Sequence, residues 1–546
     1  MEDTGKIPIT VGIIGSPDIV VTHKHRIQIE DLFRDLASAY PHSPFCLFST
    51  LTSDVDRFTA NLFMNLKASN EKYKEKFELF IPLTLDDRRF DDTDKEAREL
   101  LKKAKRKFYI LSDDKKSDQS HLNYDLLKFV ADNSLILIAL WDGSDEKGGI
   151  SDIINYKRFG DENDVAKSTF EYEGNVFIMP CDRVNGEISG IAKNSEINLS
   201  LIQVLEDSTI RQALDKIEEI NTDSLKIDND TLIKSQNNLI GNREELLDSQ
   251  KSILNIYSVL DILSLHYHKR YNSTIIWLFI TGLFIIMSFG IYTNLWLNEI
   301  TLTIAIALIL LAGVIYFYSQ VTKDLTKYIY NRTLAEALRI QFYWNVAGIN
   351  SNVSDHILRI HRKEFVWIEH ILSSVYGTTY NNSPITNAIV NDLTINWVKR
   401  QADFFDSSIK KMTQKMAEYQ MISNFSFIAA AALLLSIFFL DKFYIQNNWM
   451  NYLQVIIGTL LGIFALIRGY IQIKGYSQLL NQYELMNVLY QKAETKINKI
   501  ITTSAETQIK LEYLKELFFI IGKESLIENG TWYLILKEKE PGIEGI

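Results

Sequence analysis

Thr274-Ile-Ile-Trp-Leu-Phe-Ile-Thr-Gly-Leu-Phe-Ile-Ile-Met-Ser-Phe-Gly-Ile-Tyr-Thr293 holds no charged side chain, and none occurs between Arg270 and Glu299. About 20 apolar residues in helical form cross a hydrocarbon core of about 30 Å, and in lipid the backbone must satisfy its own hydrogen bonds. Three further runs share the property. The second extends from Ile300 to Thr322. The third lies between Glu418 and Asp441, centred on Phe425 to Leu440, and the fourth between Lys442 and Arg468, centred on Leu453 to Ile467. Buried helices of a soluble protein rarely hold such a run for more than about 14 residues. The expected architecture is therefore an all-α integral membrane region of four transmembrane helices arranged as two hairpins.

The flanking charges sort by side. His268, Lys269 and Arg270 precede the first run, and Lys323, Lys327 and Arg332 follow the second. Lys410, Lys411 and Lys415 precede the third, while Arg468 and Lys474 follow the fourth; the short hairpin connections hold Glu299, Asp441 and Lys442. By the positive-inside rule both termini and most of the soluble mass face the cytoplasm. Trp296 and Trp449 fall at the outer interface, where indoles prefer to sit. No Asp, Glu, Lys or Arg lies within a span, which counts against an ion-coupled pump or transporter. The opening Met1-Glu-Asp-Thr-Gly-Lys6 lacks the charged and apolar pattern of a cleavable leader.

The first third of the chain has a different period. Ile9 to Ile14, Phe45 to Ser49, Phe77 to Pro82, Phe108 to Leu111, Leu135 to Trp141 and Asn175 to Met179 read as strands. Helical patterns over His25 to Tyr40, Asp54 to Leu66, Asp94 to Lys105 and Tyr124 to Asp132 separate them. Strands apolar on both faces and alternating with helices predict an α/β, Rossmann-like N-terminal domain with a parallel sheet. Ligands of such sheets bind at the carboxyl ends of the strands. Gly15 and Ser16 follow the first strand, Asp142 and Gly143 follow Leu135–Trp141, and Gly148, Gly149, Ser151 and Asp152 lie in the loop leading to the next helix. Glycine-rich loops at helix starts bring N–H groups against phosphate, although the same glycines also serve as plain turns.

Asn133-Ser-Leu-Ile-Leu-Ile-Ala-Leu-Trp-Asp-Gly143 with Gly148-Gly-Ile-Ser-Asp152 resembles the signature of SLOG domains, Rossmann-like sensors related to the LOG enzymes and to the N-terminal region of TRPM channels. Val11-Gly-Ile-Ile-Gly15 and the pair Asp56 and Arg57 match the same pattern. The resemblance implies a nucleotide-ligand site bordered by Gly15, Ser16, Asp56, Arg57, Asp142, Gly143, Gly148, Gly149, Ser151 and Asp152. Gly15 is followed by Ser16-Pro17 where relatives often carry His-Arg, and Ile150 stands where many have threonine. The PGGxGTxxE pattern of the LOG hydrolases is absent, which favours a sensor over an enzyme.

Residues 191–270 read as a helical connector, 324–420 and 474–546 as cytoplasmic helical regions, and 271–323 and 421–473 as the transmembrane hairpins behind a sensing domain at 1–190. Leu334, Ala335, Leu338, Gln341, Phe342 and Asn345 form one packed stripe, with Glu336 and Arg339 spaced to pair. The stretch Ala335-Glu-Ala-Leu-Arg-Ile-Gln-Phe-Tyr-Trp344 and the segment Ile521–Trp532 are similar to uncharacterised bacterial SLOG-linked membrane proteins. Cys46 and Cys181 are too few for a disulfide framework, and His356, His361 and His370 lack metal-ligand spacing, so no metal or other resident cofactor is expected. A net charge of −10 argues against a nucleic-acid polymer as partner.

Three functions compete. The resemblance implies a membrane effector of the bacterial inner (plasma) membrane, gated by a nucleotide second messenger such as a cyclic oligonucleotide or an ADP-ribose derivative, working as a homo-oligomer in antiphage defence of the CBASS or Thoeris type. A membrane-tethered nucleotide hydrolase using Asp152 is the second. A constitutive ion channel with a structural Rossmann domain is the third.

Overall fold

The computed structural model describes residues 5–16, 19–84, 95–110, 119–144, 149–160, 174, 176–183, 199–241, 243, 245–357, 362–442, 449–503 and 506–538. The sheet strands are β1 (Ile9–Gly15), β2 (Phe45–Phe48), β3 (Phe77–Thr84), β4 (Arg106–Ile110), β5 (Ile136–Trp141) and β6 (Val176–Pro180). Between them run α1 (His23–Ala39), α2 (Asp54–Ser69), the short α3 (Glu71–Lys74), α4 (Lys95–Lys103), α5 (Gln119–Asn133) and α6 (Ile150–Phe159). Every pairing is parallel, in the order β4-β3-β2-β1-β5-β6. The Rossmann-like parallel sheet expected from the alternating pattern is present. β1, β2 and β3 are buried at every position, as strands covered on both faces must be.

Aromatic side chains fill both faces. Phe33 of α1, Phe63 of α2 and Phe77 of β3 meet edge to face, with ring centres 4.9 to 6.3 Å apart. On the other face Phe48, Phe108 and Phe129 make a second cluster. Burying each such ring contributes about 1.5–3 kcal/mol. Helices α1 and α2 start with reciprocal caps, Thr22 with His25 and Ser53 with Asp56, which fix where each helix leaves its strand.

Helices α7 (Leu201–Glu206), α8 (Ser208–Ser224) and α9 (Asn229–Ile240) follow, then the 47-residue α10 (Asp248–Asn294), α11 (Glu299–Thr322) and α12 (Asp324–Val346). A 3-10 turn at Val353–His356 leads to α13 (Arg362–Thr379) and α14 (Asn387–Leu393), and a π-helical turn at Thr394–Lys399 leads to α15 (Arg400–Lys442). α16 (Trp449–Lys474), α17 (Tyr476–Thr502) and α18 (Thr507–Lys537) complete the order.

Two compact units result. The first gathers residues 1–262, 334–393 and 505–530, and the second residues 263–333, 394–504 and 531–546. In the first unit, helices from distant parts of the sequence close the amino-terminal edge of the sheet. Asn221 of α8 donates to the Ile7 carbonyl at 2.9 Å, accepts from the Ile7 N–H at 2.9 Å and donates to Ser43 Oγ at 3.0 Å. Ser374 of α13 lies 2.8 Å from Thr10 Oγ1, and a Cβ on Gly377 would come 2.5 Å from Asn133 Cβ. The exposed side of β4 is covered too: Arg106 donates to the carbonyls of Thr378 and Tyr380, and Asn382 donates to that of Tyr109. Such cover blunts an edge strand that would otherwise pair with another chain. The stripe Leu334 to Asn345 is buried, Glu336 and Arg339 form an ion pair, and Trp344 packs on Gly522 while donating to the Phe518 carbonyl at 3.3 Å.

The second unit is helical. Among the described residues four helices are long and apolar enough to cross a membrane, and their apolar windows are only 6, 6, 17 and 11 % buried by the protein itself. Side chains such as Leu310, Phe317, Phe425 and Ile428 lie on the surface. Exposed apolar surface on that scale marks an interaction face, and on helices of this length it suggests a membrane protein. The first and fourth spans meet at small residues. A Cβ on Gly462 of α16 would lie 2.8 Å from Ile286 Cδ1 of α10, and Gly282 and Gly290 of α10 face Leu466 and Val455 of α16. Close approach at glycine is how helices pack where burial alone gives no drive. Hydroxyls in the spans turn back on their own helix: Thr281 on Trp277, Ser288 on Phe284, Ser426 on Ile422, Ser436 on Ala432 and Thr459 on Val455, at 2.7 to 2.9 Å.

Candidate functional site

With all strands parallel, every strand-to-helix loop leaves from one edge, and the order reverses between β1 and β5. That switch point is where open sheets of this kind form a crevice. Gly15 pairs with Leu140, and the Ser16 N–H donates to the Leu140 carbonyl at 3.1 Å. A side chain at Gly15 would put Cβ 2.6 Å from Val55 Cβ, so glycine here lets the first turn of α2 rest against the end of β1. Ser16 is buried.

Across the switch, Asp142 directly follows β5 and is 3 % exposed. Its Oδ1 accepts from the Ser144 N–H at 3.1 Å and from Ser144 Oγ at 2.7 Å, closing a turn in which Gly143 adopts φ +82°. Trp141 Nε1 pins the turn by donating to the Ser144 carbonyl at 2.9 Å. Oδ2 accepts from Arg183 Nε in an ion pair. Burial raises the Asp142 pKa, but the Ser144 hydrogen bonds and the Arg183 charge together hold it below the usual carboxylate range.

Arg183 did not stand out in the sequence. It lies 41 positions from Asp142, and its only signal is that it follows the end of β6. Its backbone is set by a bridge to Ile19 and by the Val20 N–H donating to the Asp182 carbonyl at 2.8 Å. Its side chain is 39 % exposed against 3 % for the Asp142 side chain, so the cation, not the carboxylate, faces outward at this edge.

Asp56 and Arg57 stand in the first turn of α2, beyond β2. Asp56 is 1 % exposed, and its Oδ2 accepts from Thr50 Oγ1 at 2.6 Å, Thr52 Oγ1 and N–H at 3.0 Å and the Ser53 N–H at 3.3 Å. Its Oδ1 is buried with no hydrogen-bond partner among the described residues. Burial raises its pKa against the lowering effect of those hydrogen bonds. The loop is tight enough to hold Leu51 at φ +54°, an unusual conformation for leucine. Arg57 pairs with Asp54 at 2.5 Å and reaches the Leu51 carbonyl at 3.5 Å. Both residues thus brace the loop after β2.

Gly149 is the N-cap of α6, which unlike α1 and α2 has no side-chain cap among the described residues. An uncapped helix start leaves N–H groups and the positive end of the dipole for an anion. Ser151 is buried and Asp152 sits in the first turn. Gly148 lies outside the described residues.

The fold also brings Cys181 Sγ within 3.8 Å of His25 Nε2. This is not a nucleophilic pair. His25 Nδ1 accepts from the Thr22 N–H at 3.0 Å, so Nε2 carries the proton and faces the Pro180 carbonyl at 3.1 Å, leaving no lone pair for the thiol. Burial and the Asp182 and Asp142 charges push the Cys181 pKa up to about 12. A groove of about 540 Å³ lined by Ile349, Gln508, Glu512, Tyr513, Glu516 and Phe519 lies on α18, away from the strand ends. Among the described residues no three His, Cys, Asp or Glu side chains gather as a metal would require.

At the switch point, then, the structure assembles Gly15 and Ser16 on one side and Asp142, Gly143, Ser144 and Arg183 on the other, with the capped start of α2 against Gly15. Comparison with protein-family models, with curated proteins and with solved structures finds no match to this chain.

Proposed function

We propose that the chain is a ligand-gated effector of a bacterial plasma membrane, with both termini cytoplasmic. A nucleotide-derived second messenger binds the SLOG-like sheet at its carboxyl edge, and the four apolar helices open or disrupt the bilayer, in an assembly of several copies and in the setting of antiphage defence. The observation that carries the reading is the reversal of strand order between β1 and β5, with Gly15 and Ser16 on one side and the Asp142 turn and outward-facing Arg183 on the other. Backbone N–H groups, an uncapped helix start and a guanidinium are complementary to phosphate. A messenger acts on the helices only through different affinity for two states of the chain.

The test is thermal unfolding of the full chain in lipid nanodiscs against cyclic di- and trinucleotides, ADP-ribose, its cyclic isomers and NAD. A ligand held about 100-fold above its Kd adds about 2.7 kcal/mol to the folded state. The expected result is a selective shift that is lost in Arg183→Gln, together with dye release from vesicles on addition of the same nucleotide. Absence of any shift in well-folded protein would sink the sensor reading. Conversion of the nucleotide to product would replace it with a hydrolase.

A further inference from the structure

A second site lies in the helical unit, beside the ends of the first and fourth apolar runs. Lys474, the last residue of α16, half-buried, donates to Asn272 Oδ1 and sits 5.3 Å from the centre of the Tyr271 ring and 5.7 Å from that of Tyr470. Among the described residues no carboxylate lies within ion-pair distance of it. Asn272 in turn donates to His268 Nε2 at 3.0 Å, and that imidazole stacks on Tyr328 with centres 4.4 Å apart. The field here is positive: burial, then Lys474 and Arg332, lower the His268 pKa to about 4. The neighbouring acid, Asp324, is engaged by Arg270 at 3.3 Å. A half-buried cation without a counter-charge is costly in a soluble protein.

Location supplies the missing charge. Lys474 stands seven positions beyond Ile467, the last residue of the fourth apolar run, and Tyr271 and Asn272 stand just before Thr274, the first of the first run. At 1.5 Å per residue Asn272 falls about 3 Å and Lys474 about 10 Å past the ends of their runs, on either side of the middle of a headgroup layer about 5–7 Å thick. Tyrosines and lysines are the side chains that anchor there. We propose that Lys474, with Asn272, Tyr271 and Tyr470, forms a site for the phosphate of an anionic lipid headgroup, seated where the first and fourth spans meet. The site rests on the membrane-spanning reading and is separate from the nucleotide edge of the sheet.

The experiment uses the full chain. Resistance to alkaline carbonate extraction from membranes is established first. A chain released by carbonate fails the membrane reading itself and the lipid site with it. The retained protein is then compared in nanodiscs of phosphatidylcholine alone and of phosphatidylcholine with phosphatidylglycerol, by thermal unfolding and by native mass spectrometry of bound lipid. Wild type should retain phosphatidylglycerol and melt higher in its presence. Lys474→Gln should weaken that retention about fivefold to tenfold, while Lys474→Arg keeps it. Lys410→Gln, which removes an exposed lysine paired with Asp406, should leave it unchanged. Equal retention by Lys474→Gln, or no preference in wild type, overturns the site. So does a shift with inorganic phosphate in phosphatidylcholine equal to that with phosphatidylglycerol, because the site would then take free phosphate. If Lys474→Gln fails to fold, the wild-type preference and the Lys474→Arg result still decide.

Discussion

Thr10 Oγ1 and Ser374 Oγ, 364 positions apart, lie 2.8 Å from each other at the amino-terminal edge of the sheet. Thr10 also donates to the Asn133 carbonyl at 2.8 Å and accepts from the Leu135 N–H at 3.1 Å, so one hydroxyl ties β1, the turn before β5 and α13 together. The sheet is completed by chain that returns after the first two long apolar helices, α10 and α11.

A fragment of residues 1–190 should accordingly lack a cooperative thermal transition and bind a hydrophobic dye, since it loses α8, α13 and the cover of β4. In the full chain, Asn221→Ala strands the Ile7 N–H and carbonyl, each at a cost of about 1–3 kcal/mol. Chemical denaturation of the sheet would measure the loss, and an unchanged midpoint would show that water replaces the amide.

Glycines separate tight from open faces. Gly377→Ala pushes Cβ into Asn133 and Phe48 and should destabilise by about 1–3 kcal/mol. Gly313→Ala and Gly458→Ala meet nothing within 4 Å and should be neutral or gain up to about 1 kcal/mol from helix propensity. Melting of the three variants side by side in one detergent checks the order.

Acid should weaken the sheet through His25, whose pKa burial lowers from 6.5. The unfolded chain then binds more protons than the folded one. Stability is full above pH 6.5 and falls as pH drops from there through the folded value. His25→Gln, which removes the titration, should flatten this part of the pH profile, as followed by Trp fluorescence during denaturation.

Cys181 should resist alkylation at neutral pH in folded protein, because its thiol ionises only at about 12. Mass spectrometry after iodoacetamide treatment, native and then denatured, reports it; rapid native labelling would mean that the edge near β6 opens readily.

How much of this was legible in the sequence follows from how far apart the partners lie. Leu135 to Trp141 announces a buried strand because all its neighbours are apolar, and Thr274 to Thr293 announces a span for lack of charge. Gly15, Asp142 and Gly143 could be placed because a strand end precedes each. Asn221, Ser374 and Gly377 read as ordinary helix residues, since nothing local tells a polar side chain facing water from one facing the Ile7 backbone. Arg183 escaped for the same reason: its importance lies in Asp142, not in its neighbours. Asp56 matched a ligand pattern, yet its Oδ2 caps α2, a role that Ser53 three residues earlier already signalled.

The hydroxyls of Thr281, Ser288, Ser426, Ser436 and Thr459, each bonded to a carbonyl one turn earlier on its own helix, decide what those helices offer a neighbour. A serine or threonine engaged in this way has its proton committed and shows its neighbours a methylene or methyl, so these helix faces behave as apolar surface. A polar bond to another helix forms at Ser288, Ser436 or Thr459 only when the hydroxyl lets go of Phe284, Ala432 or Val455, at the cost of the bond it already makes.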